Sequence, residues 1–147
     1  MADSRTEQIL QAIVTALDAD GKPAGVTVNR SRRQAVEASE LPMFSVYPLR
    51  EDIQRATENR RSPLVSRSLL FRIRCRAAGQ DEALDPLRQW AVAALHGDPS
   101  LDGLALEILE DSTEWVPADA SEGDYSIAEM NFNVRYTTAR GDLTKAA

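Results

Sequence analysis

Between Ser66 and Ala77 the chain reads SRSLLFRIRCRA, in which Leu69, Phe71, Ile73 and Cys75 alternate with Leu70, Arg72, Arg74 and Arg76. A period of two places successive side chains on opposite faces of a β-strand. One face of this strand is built for a core, and the other carries three guanidinium groups that need anions beside them. A neighbouring strand, a neighbouring subunit and a nucleic acid are the three sources of such an anion.

The length of 147 residues fits one domain, residues 1–147, with a two-layer core. With 43% apolar and 27% charged residues the composition is that of a soluble globular protein, and eight aromatics make its core mostly aliphatic. The longest purely apolar run, Trp90 to Leu95, is too short to span a bilayer, so no membrane association is expected. The N-terminus, MADSRTEQIL, has no basic region followed by an apolar one, so no secretory signal is read there. Cys75, the only cysteine, has apolar period-two partners and reads as a buried thiol of a protein made in a reducing cytoplasm.

The net charge of −6 is unevenly spread. Residues 22–76 hold twelve basic and five acidic side chains, whereas residues 81–147 hold four basic and fourteen acidic ones. Arginine outnumbers lysine fifteen to two, and its planar fork suits fixed bidentate pairing. Both observations favour pairing within or between protein subunits over non-specific nucleic-acid binding, for which a net basic domain is expected.

Ser4 and Glu7 form an S-x-x-E capping box ahead of the stripe Ile9, Leu10, Ile13, Ala16 and Leu17, which predicts a helix over about 5–18. Val26 and Val28 mark a short strand, and Met43 to Tyr47, bounded by Pro42 and Pro48, a second. Residues 50–63 hold one large apolar side chain, Ile53, and read as a long polar loop, a length that points to function. The arginine strand follows. Asp81 to His96 reads as a second helix with Leu84, Leu87, Ala91 and Leu95 on one stripe. Leu104, Leu106 and Ile108 alternate as a fourth strand that fades into the acidic residues 110–114, and Ala128, Met130, Phe132, Val134 and Tyr136 form one face of a fifth. Residues 138–147 read as a flexible tail. The order α-β-β-β-α-β-β predicts an α+β domain with two helices on one face of a mainly antiparallel sheet. Its other face bears Leu70, Arg72, Arg74 and Arg76, Glu107 and Leu109, and Ile127, Glu129 and Arg135. Cross-strand ion pairs on a solvated face and a subunit interface both fit that mixture. Arg72, Arg74 and Arg76 are expected to pair with Glu107, Asp111 or Glu129, in the same or an adjacent subunit.

Little in the chain suggests catalysis. His96 is the only histidine, placed at a helix C-terminus where the dipole favours it. One histidine and one cysteine leave no zinc site or Cys-His dyad, and no glycine-rich phosphate loop occurs. Asp81, Glu82 and Asp85 open a helix, and Glu110, Asp111 and Glu114 end a strand, so neither acidic group reads as a catalytic pair or metal loop. No cofactor is expected. The Asn29-Arg30-Ser31 sequon and the Arg140-Gly141-Asp142 tripeptide read as chance matches.

Three further stretches matter together: Asn29-Arg30-Ser31-Arg32-Arg33, then Glu40-Leu41-Pro42-Met43-Phe44-Ser45-Val46-Tyr47-Pro48, and the closing Phe132-Asn133-Val134-Arg135-Tyr136-Thr137-Thr138-Ala139-Arg140-Gly141-Asp142. With the arginine strand between them, their order and spacing resemble the tail terminator, or tail completion, proteins of long-tailed bacteriophages and related prophage particles. The resemblance runs from about Ile9 to Asp142. It implies a ring, six-membered in that family, that caps the tail tube, stops its polymerisation and presents a surface to the head connector. The implied partners are a second copy of the chain, the tail tube protein and the head–tail connector protein, with DNA passing through the ring without specific binding. The implied place is the head-proximal end of the virion tail. Arg50, Ile53, Arg55, Arg60, Arg61, Arg140 and Asp142, in the polar loop and the tail, are the expected docking residues for tube or connector. An oligomeric nucleic-acid binding module using the Arg30–Arg33 and Arg60–Arg61 clusters is the competing reading, although no aromatic residues are interleaved with those arginines for stacking.

Overall fold

The computed structural model describes residues 2–34, 36–53, 64–116 and 125–145. Helix α1 (Arg5–Leu17) opens on Ser4, whose Oγ accepts a hydrogen bond from the Glu7 amide at 3.1 Å. The Glu7 carboxylate does not complete the capping box; it receives the fork of Arg30 at 3.0 and 3.2 Å. Strands β1 (Thr27–Arg30), β2 (Met43–Ile53) and β3 (Leu64–Ala78) follow, then α2 (Asp85–Gly97), β4 (Glu107–Trp115) and β5 (Tyr125–Ala139). The five strands form one sheet in the order β1-β2-β3-β5-β4, antiparallel except for the β1–β2 pair. The expected α+β architecture and element order are therefore present. No described helix is long and apolar enough to cross a membrane.

Both helices pack on the same sheet face. Ile9, Leu10, Ile13 and Leu17 of α1 and Leu87, Ala91 and Leu95 of α2 bury against Phe71, Ile73, Cys75, Met130, Phe132 and Val134. The Phe71 and Phe132 rings, in register across β3 and β5, stack with centroids 5.5 Å apart. Trp90 of α2 donates its indole N–H to the Leu17 carbonyl at 2.8 Å, satisfying one of the carbonyls a helix end leaves open. The indole also lies 3.6 Å from where a Cβ on Gly21 would sit, so the turn after α1 has both a left-handed backbone (φ +96°) and a ring against it.

Three expectations are corrected. Residues 50–53 are not loop: β2 continues through Pro48 to Ile53, with a bulge between Pro48 and Arg50. A proline is tolerated there because β2 has already run past the end of β1 and because the bulge interrupts the ladder. Glu51 then fastens this end of β2, accepting from Tyr136 Oη, from Thr6 Oγ1 at 3.0 Å and from Arg67 at 3.5 Å. Burial, and then the Glu51 carboxylate, push the Tyr136 phenol well above its ordinary value. Residues 54–63, the rest of the expected loop, lie outside the described residues.

The fourth strand begins three residues later than its leucines suggest, because Leu101, Asp102 and Gly103 all adopt left-handed conformations and turn the chain. Leu106, read as a core residue, is exposed, and the strand runs through the acidic stretch to Trp115, shifted by a bulge between Glu110 and Ser112. Finally, Thr138 and Ala139 belong to β5, and the chain beyond folds back. Leu143 accepts from the Arg5 amide at 2.7 Å, and Lys145 accepts from the Ala139 amide at 2.9 Å. The tail up to Lys145 is thus docked on the start of α1.

Phe132→Ala is expected to cost about 3–5 kcal/mol in a urea titration, since it opens the centre of the core; a loss below about 1 kcal/mol would show that the stack is dispensable. Cys75 offers a second test. Burial pushes its thiol from 9.0 to about 12. The unfolded chain therefore ionises first, and stability is retained below pH 9 and lost as pH rises, by about 1.4 kcal/mol per unit between pH 9 and 12. Cys75→Ala should flatten that alkaline slope, and in the native protein the thiol should stay unreactive toward disulfide reagents until unfolding.

Candidate functional site

The sheet face turned away from the helices is the candidate site. Period-two alternation and the registers bring Asn29, Ser45, Tyr47, Arg72, Arg74, Arg76, Glu129, Asn131 and Ser112 onto it. Its centre is Glu129, opposite Arg74 in the ladder. One carboxylate oxygen lies 2.6 Å from Arg72 Nη1 and the other 3.2 Å from Arg74 Nη2, with all three side chains at most about a quarter exposed. Arg72 Nε also donates to Asn131 Oδ1 at 3.0 Å, and Asn131 passes the chain on to Ser112 Oγ at 3.0 Å. Arg74 lies 5.2 Å from the Tyr47 ring centroid, a cation–π arrangement.

Arg76 departs from expectation. It is buried and has no carboxylate partner among the described residues; Nη1 donates to Ser45 Oγ at 3.0 Å and approaches the Met43 sulfur at 3.8 Å. Ser45 in turn donates to Asn29 Oδ1 at 2.7 Å. The cause is local: at this end of the sheet Val36, Met43, Tyr125 and Ile127 form a second apolar cluster over the face, and Arg76 sits opposite Met43 and Ile127 in the ladders. Among the described residues Asp111 accepts from the neighbouring Ser112 hydroxyl at 3.2 Å, and Glu107 pairs with Arg135 at 2.7 Å rather than with β3. Of the six residues expected to pair, Arg72, Arg74 and Glu129 meet, while Arg76, Glu107 and Asp111 are engaged elsewhere. Sequence reasoning missed Asn29, Ser45, Asn131 and Ser112. For Ser45 and Asn131 the signal was a polar residue at an outward position of a strand whose inward positions are apolar, whereas β1 and β4 are too polar to mark Asn29 or Ser112 in that way.

The expected docking residues are spread apart. Arg50, exposed on β2, pairs with Asp52 at 3.0 Å, and Ile53 is exposed at the strand end. The Asp142 carboxylate is held below its usual range by the hydroxyl and then the amide of Thr144, closing a turn of its own chain. Arg140 follows β5 directly, while Arg55, Arg60 and Arg61 lie outside the described residues. In the Arg30–Arg33 cluster, Arg30 forks onto Glu7, and Arg32 reaches both oxygens of Glu40 at 3.0 Å. Arg30 holds the Glu7 carboxyl below its ordinary value, and the Glu37 amide and then Arg32 do the same for Glu40. Both guanidinium groups thus already have anions within the chain. Among the described residues, no group of three or more potential ligands comes together as a metal site. Comparison with known proteins finds no matching family model and no matching curated protein.

Glu129→Ala leaves two half-buried guanidinium groups side by side without a counter-charge. It is expected to cost about 2 kcal/mol, and Arg72→Ala/Glu129→Ala together should cost less than the two single losses added. Chemical denaturation of the four members of that cycle provides the check.

Proposed function

We propose that this chain is a structural protein that assembles into a closed ring, caps a phage-type tail tube, ends its polymerisation and offers a surface to the head connector. The ring is that of the tail terminator family, six-membered, and acts at the head-proximal end of the virion tail with DNA passing through it unread. The observation that carries the reading is a sheet covered by helices on one face only, with the second face knitted into a rigid polar network. Such a domain has one side stabilised by its helices, while on the second side the partly exposed Arg72, Arg74 and Glu129, beside two sheet edges, are left for other chains. The order of motifs in the sequence supports the same family, and the pairing of Arg30 and Arg32 with carboxylates weighs against the nucleic-acid module.

The purified protein should therefore scatter light as a hexamer and appear as rings in negative stain. Added to polymerising tail tubes, it should give tubes of uniform length that no longer grow. Monomers at high protein concentration, or tubes that elongate unchanged, would overturn the reading.

A further inference from the structure

The outer edge of the sheet carries a concavity of about 460 Å³ where the end of β4 meets the turn into α2. Trp115, half exposed, forms one wall, with Arg88 lying 4.7 Å from its ring centroid. Asp81, Glu82 and Asp85 line the rest and leave the hollow net negative. Gln89 reaches Asp85, but no cation pairs with Asp81 or Glu82 among the described residues. β4 is an edge strand, so the outward backbone beside Trp115 also lacks a partner among the described residues. A large aromatic, open backbone and unmatched carboxylates together suit an arginine-bearing segment, whose guanidinium stacks on indole and forks onto carboxylates.

The chain contains such a segment. Residues 54–63 read QRATENRRSP, with Arg55, Arg60 and Arg61 against one glutamate, and they connect Ile53 to Leu64. Leu64 begins β3, whereas Trp115 lies level with Ala128 and, across β5, with Cys75. Eleven residue steps along β3 separate the two ends by roughly 36 Å. A ten-residue connection anchored at both ends can project only about 18 Å, five residues out and five back. The arginines therefore cannot reach the hollow of their own molecule.

We infer that residues 54–63 of one copy dock into the Asp81–Glu82–Trp115 hollow of a second copy, making a head-to-tail contact between opposite ends of the sheet. Donor and acceptor are different surfaces, so the contact is heterologous and repeats from copy to copy until a ring closes. The inference rests on the ring reading and names the surfaces that join its subunits.

The test is a charge exchange in the full chain. Asp81→Lys/Glu82→Lys reverses the acceptor and Arg60→Glu/Arg61→Glu reverses the donor. Each variant alone sets like charges against each other, and its self-association, read by sedimentation velocity, should weaken at least about a hundredfold. Mixed one to one, the two should reassemble to within about tenfold of the native protein. In an alternating ring, reversed loops meet reversed hollows and native loops meet native ones. Circular dichroism and melting establish that each variant folds; if the acceptor variant does not, Trp115→Ser takes its place, and its association should weaken about tenfold or more. Native-like assembly of both single variants, or loss in each without recovery in the mixture, would overturn the inference while leaving the ring reading standing. A native protein that stays monomeric would overturn both.

Discussion

The bridge from Glu129 to Arg72 and Arg74 fixes how β3 lies on β5, and the rest of the molecule is built on those two strands. Both are fifteen residues long, and their pairing runs from Leu64 with Ala139 to Ala78 with Tyr125. Slipping one residue would turn Glu129 into the core and bring Phe132 and Met130 out to water. Two guanidinium groups two positions apart on one face repel each other unless a carboxylate lies beside both, and this register supplies one in Glu129. Hydrophobic burial on one face and charge neutralisation on the other thus select the same alignment.

That double selection explains why β3 and β5 were legible from sequence alone: strict alternation over many residues leaves a single period that satisfies both faces. Helix α1 was legible for a similar reason, its stripe and its Ser4 cap agreeing. What failed was read from local rules that tertiary context overrides. Pro48 looks like a stop, and is one only in a strand paired on both sides; β2 at that point has outrun β1. Leu104, Leu106 and Ile108 alternate like a strand, but three left-handed residues ahead of them turn the chain and leave Leu106 outside. Arg72, Arg74 and Arg76 of β3 share one pattern and have different fates, because the strand cannot say that Arg74 will face Glu129 while Arg76 faces Met43 and Ile127. Partner identity is a property of register, which no single strand contains.

The tail illustrates the same limit from the other direction. Residues 138–145 carry few apolar side chains, so nothing in their composition predicts order. They are ordered by backbone hydrogen bonds, from the Arg5 and Ala139 amides to the carbonyls of Leu143 and Lys145, and by the Asp142 turn. Such bonds leave no trace in a hydrophobicity pattern.

The uneven charge along the sequence acquires a direction in space through β3. This strand carries the chain from the end where the arginine-rich connection is anchored to the end where Asp81 and Glu82 stand and the acidic strand β4 finishes, so part of the change of sign along the sequence becomes a separation of sign across the molecule. Within the body most charges are matched: Arg30 with Glu7, Arg32 with Glu40, Arg72 and Arg74 with Glu129, Arg135 with Glu107. At one end Asp81 and Glu82 have no paired cation among the described residues, and the connection anchored at the other end carries three arginines against one glutamate in its sequence. Two-fold pairing at either end would set like charge against like, whereas head-to-tail contact sets opposite charges together at every junction. A chain polarised in this way is biased toward cyclic or helical assembly and away from symmetric dimers before any particular contact is considered.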